Sequence, residues 1–246
     1  METVISWFSY IWQDFGELLL EGIRDTLWMT GVSTLAAYLI GLPLGILARA
    51  TAPDGIHPMN KLNRVLGAVI NLGRSIPFII LLVAIMPLTR LIVGTTIGPV
   101  AVTVPLVLAA APFIARLVEN SLSELDKGVI EAAKAMGARD MQIIWKVMLP
   151  ETVPSLAAGI SMAAITIVGY TAMAGAVGGG GLGDIAIRYG YYRYETDIAV
   201  VTVVLLVAIV QIIQSIGQFT ARKLDRTGTV SVGKCIVRSA YVKKKK

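Results

Sequence analysis

The sequence is short of the residues that build disulfides, metal centres and charged surfaces. Cys235 is its only cysteine and His57 its only histidine. A disulfide within the chain is therefore impossible, and these two side chains alone cannot assemble a zinc site. Only 15% of the 246 residues are charged, whereas soluble domains carry about a quarter. Because the shortage falls in long apolar blocks, the composition indicates a polytopic helical membrane protein without a large soluble domain.

Five apolar segments are long enough to cross a bilayer, for which a helix needs about 20 residues. They are predicted at about 26–48, 65–88, 97–115, 152–177 and 198–217. The sequence therefore predicts an all-α fold with five transmembrane helices, in one membrane domain over residues 26–221.

The first 25 residues have no basic start, and their apolar run is interrupted at Gln13 and Asp14, which excludes a signal peptide. One helical face gathers apolar side chains, namely Trp7, Ile11, Phe15 and Leu18. We predict an amphipathic arm over residues 1–25 that lies on the extracytoplasmic membrane surface.

Lys and Arg are concentrated in alternate connections between the spans. The first and third loops and the tail are rich in them, whereas the N-terminal arm has only Arg24 and the second loop only Arg90. Because basic loops face the cytoplasm, we expect the N-terminus outside, with the third loop and a basic tail over residues 222–246 inside. The net charge of +6 is explained by basic residues that face the cytoplasm, so we expect no nucleic-acid partner.

The third loop contains EAAKAMGARDMQIIWKVMLPE, residues 131–151, which is patterned as two short helices. Asp126 or Ser123 is a predicted N-cap, and Gly137 suits the left-handed residue after a helix. Asp140 is expected to cap the second helix, and Leu149-Pro150 to end it. The apolar faces comprise Val129, Ile130, Ala133 and Met136, then Met141, Ile144, Val147 and Met148. We predict a helix-turn-helix over about 122–151, which periodicity alone also allows to fold back on its own bundle.

This segment resembles the EAA loop of ATP-binding-cassette (ABC) importer permeases. The matching positions are Glu131-Ala132-Ala133, Gly137, Val147 in place of the usual Ile, and Leu149-Pro150. The resemblance implies a coupling helix that docks on a separate ATPase subunit. The coupling residues that we expect are Glu131, Ala132, Ala133, Gly137, Arg139, Met141, Ile144, Leu149 and Pro150; Met141, Ile144 and Met148 pack on the ATPase or on their own bundle.

Three further segments, 73–98, 111–120 and 168–184, are similar to the methionine-importer permeases, and the likeness covers about residues 26–226. It implies the type I ABC importer fold and uptake of methionine across the cytoplasmic membrane, with the enantiomer left open. The implied assembly contains two copies of this chain, two ATPase subunits that bind ATP and Mg, and an external methionine-binding protein. The chain itself is then a transporter subunit, without catalytic residues, cofactor or metal site.

The fourth predicted span is rich in small and hydroxyl-bearing residues. Its candidate pathway residues are Ser161, Thr166, Tyr170 and Met173. Such residues suit a tightly packed helix, or a path that passes a polar amino acid without holding it strongly. Because methionine is flexible and apolar, Met173 is a candidate gate; ordinary packing is the alternative.

Four further features permit a structural explanation. Residues 178–183 match GxGxxG, but they follow a membrane span, and so we expect close backbone approach and no nucleotide site. Gly41 and Gly45 form a GxxxG for packing between helices, and Ser75-Ile76-Pro77 can break the second span beside Arg74. The aromatic tract around Tyr189–Tyr194 suits a protein interface or a membrane belt.

Three other functions compete with a methionine importer. An importer of another amino acid or small polar solute would carry the same loop. A channel that needs no ATPase leaves the EAA-like loop unexplained. An intramembrane enzyme needs paired carboxylates, a Ser/His pair or metal ligands within the spans, and the sequence offers none of these.

Overall fold

The computed structural model describes residues 2–224, and it describes side chains from Ile11 onward. Within this range the chain is helical and contains no strand. The α-helices are α1 (Glu2–Ala50), α2 (Asn60–Ser75), α3 (Phe78–Ala84), α4 (Met86–Val93), α5 (Pro99–Ser123), α6 (Lys127–Ala135), α7 (Asp140–Ile143), α8 (Leu149–Ala174), α9 (Gly181–Ile185) and α10 (Thr196–Leu224). Two π-helical segments, Ile144–Met148 and Ala186–Tyr191, and a 3-10 turn, Gly175–Val177, complete them. The first three residues of the predicted basic tail, 222–224, are the end of α10, and the rest of it lies outside the described residues.

Four helical stretches are long and apolar enough to cross a membrane, namely Ile11–Ala50, Pro99–Ser123, Asp140–Val177 and Thr196–Leu224. A fifth span is formed if α2 and α3 are counted together, although they are bent by 97°. The all-α prediction is therefore confirmed. The span predicted at 65–88 corresponds to this bent pair, which is interrupted between Ser75 and Phe78.

The bend between α2 and α3 has a local cause. Proline disfavours helical backbone at the residue before it, and Ile76, which precedes Pro77, is extended with φ −83° and ψ 122°. The break predicted at Ser75-Ile76-Pro77 is thus confirmed. Arg74 lies in the last turn of α2, where its side chain is exposed.

The predicted arm over residues 1–25 is not a separate element, because α1 continues unbroken from Glu2 to Ala50; its place on the extracytoplasmic surface stays a prediction. No proline interrupts its first half, and Ile11 and Leu19 are 5% and 4% exposed. They belong to an apolar cluster that also contains Leu182 of α9 and Ile198 of α10. This face of the helix packs on protein, whereas an interfacial helix would bury it in lipid.

Helices α1 and α5 form the centre of the bundle through close backbone contact. A Cβ atom at Gly41 would lie 2.8 Å from the Ala111 carbonyl oxygen, and one at Gly45 would lie 2.5 Å from that of Ala115. Small residues let membrane helices approach this closely. The GxxxG of α1 therefore serves packing within the chain, as predicted.

The largest apolar cluster joins the spans to the third loop. It includes Leu106 and Ile114 of α5 and Ile167 of α8, all 0% exposed, together with Ala133 of α6 and Ile143 of α7. Since the loop helices contribute buried side chains to the same core, they are part of the folded bundle.

Candidate functional site

The third loop forms a compact projection, which we call the handle and define as residues 126–148. Its first helix begins where Asp126 accepts a hydrogen bond from the Gly128 N–H at 2.8 Å. The helix ends with a Schellman motif, in which Gly137 N–H donates to Lys134 O and Ala138 N–H to Ala133 O. Gly137 has φ +77°, so the predicted cap and the predicted left-handed turn are both confirmed.

The second helix of the handle begins differently from the prediction. Gln142 Oε1 accepts the Arg139 N–H at 2.9 Å, so the chain enters the helix at Arg139. Asp140 is the first helical residue instead of the cap. Its carboxylate lies 3.5 Å from His57 Nδ1. The cap prediction was wrong because a glutamine three residues after Arg139 can satisfy the same N–H.

The predicted end of this helix at Leu149-Pro150 is also wrong, because the chain stays helical from Asp140 to Val177. A π-helical turn over Ile144–Met148 precedes the proline, and the Leu149 N–H donates to the Ile144 carbonyl five residues back. A proline in a regular helix lacks one N–H and clashes with a carbonyl of the preceding turn. The wider π turn accommodates Pro150, and it joins the handle directly to α8.

The predicted coupling residues divide between the surface and the core. Ala133 is 3% exposed, and Ile144 and Leu149 are partly buried. The remaining predicted residues are exposed, namely Glu131, Ala132, Gly137, Arg139, Met141 and Pro150. Met148 is 2% exposed although Met141 is 66% exposed, because the π turn rotates the later residues away from the face of Met141. The two methionines therefore do not share the predicted face.

The handle exposes three large apolar side chains, which we call its apolar patch: Met136, Met141 and Trp145, at 81%, 66% and 61% exposed. The prediction omitted Trp145. The signal that could have found it is its spacing, because Trp145 follows Met141 by four residues and so lies one turn further on the same helix side.

The first loop, Thr51–Met59, packs against the handle, and we call it the elbow. Asp54 of the elbow lies 3.0 Å from Arg49 Nη1 and 3.3 Å from Lys127 Nζ. The Lys127 hydrogen bond, and then the Arg49 charge, hold the pKa of the Asp54 carboxyl below its ordinary value. The sequence prediction overlooked the elbow, although Pro53-Asp54-Gly55 is a turn signal.

The elbow and the handle enclose a small cavity of about 100 Å³. Arg49, Asp54, Lys127, Glu131 and Lys134 supply its polar lining. Lys134 Nζ lies 3.5 Å from the Ile56 carbonyl oxygen, so backbone as well as side chains of the elbow meet the handle.

Three of the four candidate pathway residues lie near one another on α8. Tyr170 stacks on Phe78 of α3, with ring centroids 4.5 Å apart and planes 8° from parallel. Met173 is 53% exposed, and Thr166 lies on the same side of α8, seven residues earlier. Its hydroxyl donates to the Met162 carbonyl at 2.9 Å, so it is already satisfied within the helix.

The structure does not bring Ser161 to this face. Ser161 lies against α10, where a Cβ atom at Gly217 would overlap its side chain. The contact between these two small residues lets α8 and α10 approach closely. Ser161 therefore stands apart from Thr166, Tyr170 and Met173.

The glycine-rich segment 178–183 packs against α1. Gly178, Gly180 and Gly181 have φ between +77° and +78°, which only glycine adopts readily. A Cβ atom at Gly181 would lie 2.7 Å from Thr26 Oγ1. The segment therefore makes the close backbone approach that was predicted for residues 178–183. The following aromatic tract exposes Tyr191, Tyr192 and Tyr194.

No group of three or more His, Cys, Asp or Glu side chains is placed to hold a metal ion in the part of the chain that the structure describes. Three acidic side chains, Glu21, Asp25 and Asp184, line a second cavity of about 270 Å³ beside the glycine-rich segment. There Asp184 pairs with Arg188 at 2.6 Å.

Comparison with known sequences identifies the family. The model of the binding-protein-dependent transport system inner membrane component family matches residues 41–226. A probable D-methionine transport system permease protein MetI of Vibrio cholerae is 48% identical over 223 residues, which cover 91% of this chain and 97% of that protein. The D-methionine transport system permease protein MetI of Escherichia coli K12 is 53% identical over 158 residues, which cover 64% and 73%.

Comparison with solved structures agrees. An inward-facing structure of the MetNI methionine ABC transporter contains a chain that is 50% identical to this one, with a TM-score of 0.85 over 86% of this chain and 98% of that chain. An amino acid ABC transporter is 16% identical with a TM-score of 0.73, which shows a common fold alone. The described helices therefore have the type I ABC importer permease fold that the resemblance implied. The chain belongs to the family of binding-protein-dependent transport system inner membrane components.

Proposed function

We propose that this chain is the membrane-spanning permease subunit of an ABC importer that carries methionine across the cytoplasmic membrane. The observation that supports this best is the handle, whose capped helix, left-handed glycine and exposed apolar patch form a docking element on a membrane bundle. The substrate is inferred from the relatives, since methionine appears in the name of the protein that is 48% identical over most of both chains.

The proposed assembly contains two copies of this chain, two ATPase subunits and an external methionine-binding protein. ATP and Mg belong to the ATPase subunits, because this sequence has no P-loop motif. On the handle, Met136, Met141 and Trp145 supply apolar contacts, and the exposed Glu131 and Arg139 supply polar ones. Aromatic and methionine side chains are common at the centre of such interfaces.

Transport by alternating access needs two bundle arrangements of similar free energy, which a partner biases by binding one of them better. A shift from 1:99 to 99:1 requires about 5.5 kcal/mol of differential affinity. ATP binding by the partner supplies this free-energy difference. The partner acts on the bundle through its contact with the handle. Because the handle runs without a break into α8, its displacement reaches the helix that carries Thr166, Tyr170 and Met173.

The distribution of Lys and Arg supports a membrane orientation with the N-terminus outside and the handle, residues 126–148, in the cytoplasm. The basic tail over residues 222–246 then also lies inside. In this orientation Met173 is the proposed gate, and Ser161 serves helix packing. The membrane domain covers residues 26–221, with α1 extending it toward the outside.

The test is uptake of radiolabelled methionine by proteoliposomes that contain this chain and the ATPase subunit encoded beside it. ATP is supplied on the ATPase side and the binding protein on the other. We expect accumulation that requires both. ATP hydrolysis stimulated by the binding protein without methionine uptake would indicate another solute. Uptake in the absence of the ATPase would instead indicate a channel.

A further inference from the structure

We propose that Asp54 is a positioning residue that ties the handle to the end of α1, so that ATP-driven displacement of the handle moves α1 as well as α8. This inference deepens the proposed function and rests on it for the source of the displacement. Its basis is the pair of salt bridges that Asp54 makes, one to Arg49 on α1 and one to Lys127 on the handle.

The elbow is a rigid extension of α1. Its backbone returns to the helix end through hydrogen bonds from His57 N–H to Ala50 O and from Met59 N–H to Thr51 O, both 3.0 Å. Asn63 Nδ2 donates to the Ala48 carbonyl at 2.7 Å. The elbow is closed by two backbone bonds and is continuous with α1, and the Asn63 bond ties the start of α2 to the same helix end. The elbow therefore moves with α1.

The inside of the elbow is tightly packed at its turn. A Cβ atom at Gly55 would lie 2.5 Å from the Ala50 carbonyl oxygen and 2.6 Å from that of Arg49. Because backbone atoms block this position, the turn has no room to rearrange around a side chain. The backbone of Asp54, which precedes Gly55, is therefore held in a fixed position relative to the end of α1.

Asp54 is held more firmly by α1 than by the handle. Arg49 has only 5% of its surface exposed, and both of its terminal nitrogens face the Asp54 carboxylate, at 3.0 and 3.5 Å. Removing the partner of a buried charge is strongly unfavourable, so Asp54 stays with Arg49. The side chain of Lys127 is 69% exposed, so its salt bridge to Asp54 can be altered without disturbing the core.

Apolar and polar contacts around Asp54 keep the handle in register. Ile56 of the elbow is 7% exposed and belongs to the core cluster that contains Ala133, Ile143 and Met148 of the handle. His57 Nδ1 lies 3.5 Å from Asp140 Oδ2 at the start of α7. The elbow thus touches both helices of the handle. Lys127, the first residue of α6, adds its contact with Asp54.

Helix α1 can carry this displacement across the bundle. It packs on α5 through Gly41 and Gly45. Near the middle of α1, Thr26 Oγ1 accepts a hydrogen bond from the Leu182 N–H of the glycine-rich segment. Packed helices move as rigid bodies in two-state transitions. A handle tied to α1 therefore acts on the end of the bundle far from the ATPase.

The test measures the distance between α1 and the handle directly. Spin labels are placed at Leu47 and Ala135, both exposed, in one of the two copies of the chain, after the lone Cys235 is replaced by Ser in both copies. The complete complex is measured with and without ATP. In the parent we expect one narrow distance that ATP leaves unchanged, because α1 and the handle move together. With Lys127→Glu, which sets two carboxylates against each other, we expect a broadened distance that changes with ATP.

The matched controls are Lys127→Arg, which keeps the charge, and Lys61→Glu, which changes an exposed lysine of α2 that makes no ion pair within residues 11–224. Both should keep the parent distance. A parent distance that shifts on ATP binding, or a Lys127→Glu distance identical to the parent, would overturn the inference.

A second readout is the number of ATP molecules hydrolysed per methionine imported. We expect Lys127→Glu to raise it about two- to fivefold, the range that corresponds to the loss of an exposed ion pair, and Lys127→Arg to leave it unchanged. An unchanged ratio in Lys127→Glu also overturns the inference. Failure of the parent complex to import methionine would instead contradict the proposed function, while the spin-label distance would still test the link.

Discussion

The backbone N–H of Leu182 donates a hydrogen bond to Thr26 Oγ1 at 3.0 Å, across 156 residues of sequence. Thr26 is 1% exposed and Leu182 is 0% exposed, and the same hydroxyl donates to the Gly22 carbonyl at 2.8 Å. This one side chain therefore connects α1 with the start of α9, next to the left-handed glycines.

Thr26→Val should destabilise the protein, because it keeps the side-chain shape and leaves the buried Leu182 N–H without a partner. An unsatisfied buried donor costs about 1–3 kcal/mol. Thermal unfolding in detergent measures the effect, and Thr26→Ser, which retains the hydroxyl, should recover most of it. Equal melting temperatures for the valine variant and the parent would contradict the role of this bond.

Gly137→Val should leave membrane insertion intact and uncouple methionine uptake from ATP hydrolysis. A Cβ atom at Gly137 meets nothing within 4 Å, so the penalty arises from the left-handed backbone alone, about 1–2 kcal/mol. Gly137→Asn is the control, because asparagine tolerates this conformation better. The measurement is ATP hydrolysed per methionine in proteoliposomes, and normal coupling in the valine variant would refute the prediction.

Gly45→Ala should separate α1 from α5, because its Cβ would lie 2.5 Å from the Ala115 carbonyl oxygen and 2.6 Å from Val118 Cβ. Overpacking of this kind costs about 1–3 kcal/mol. The matched control on the same helix is Gly31→Ala, where nothing lies within 4 Å. Melting temperatures in detergent should fall for the first variant and not for the second.

The contact between the elbow and the handle should persist at neutral and mildly acidic pH. The pKa of Asp54 is lowered from its ordinary 3.8, first by the Lys127 hydrogen bond and then by the Arg49 charge. A lowered folded-state pKa contributes stability that is complete above 3.8 and disappears as pH falls through the folded value. The Leu47–Ala135 spin-label distance should thus broaden only below pH 3.8, and the Asp54→Asn variant should not show this transition.

Met173→Ala should increase leakage of methionine from preloaded proteoliposomes severalfold in the absence of ATP, if Met173 closes the path. Its side chain is 53% exposed, and methionine can fill a constriction and repack. Ile160→Ala is the control, since Ile160 points to a different side of α8. Equal leakage from both variants would assign Met173 to ordinary packing.

Local signals in the sequence identified the parts of the handle that neighbouring residues control. The Asp126 cap and the Gly137 turn each satisfy backbone groups within five residues, so residue type and spacing suffice to predict them. The prediction missed the passage through Pro150, because the π turn over Ile144–Met148 accompanies the packing of Ile143 and Met148 into the core cluster, which residue type and spacing do not reveal. The same packing decides that Met148 points inward while Met141 points outward.

The all-α class, the apolar spans, the break at Pro77 and the family could be predicted from the residues, because these depend on composition, on local backbone preferences and on motif. Three features emerged only in the folded bundle: α1 continues through the predicted arm, Ser161 faces α10, and Asp54 joins Arg49 to Lys127. The last two bring together segments far apart in sequence, α8 with α10 at Ser161 and Gly217, and the elbow with the handle at Asp54 and Lys127. No local pattern encodes such a meeting, because its free energy comes from side chains that are brought together only when the bundle has packed.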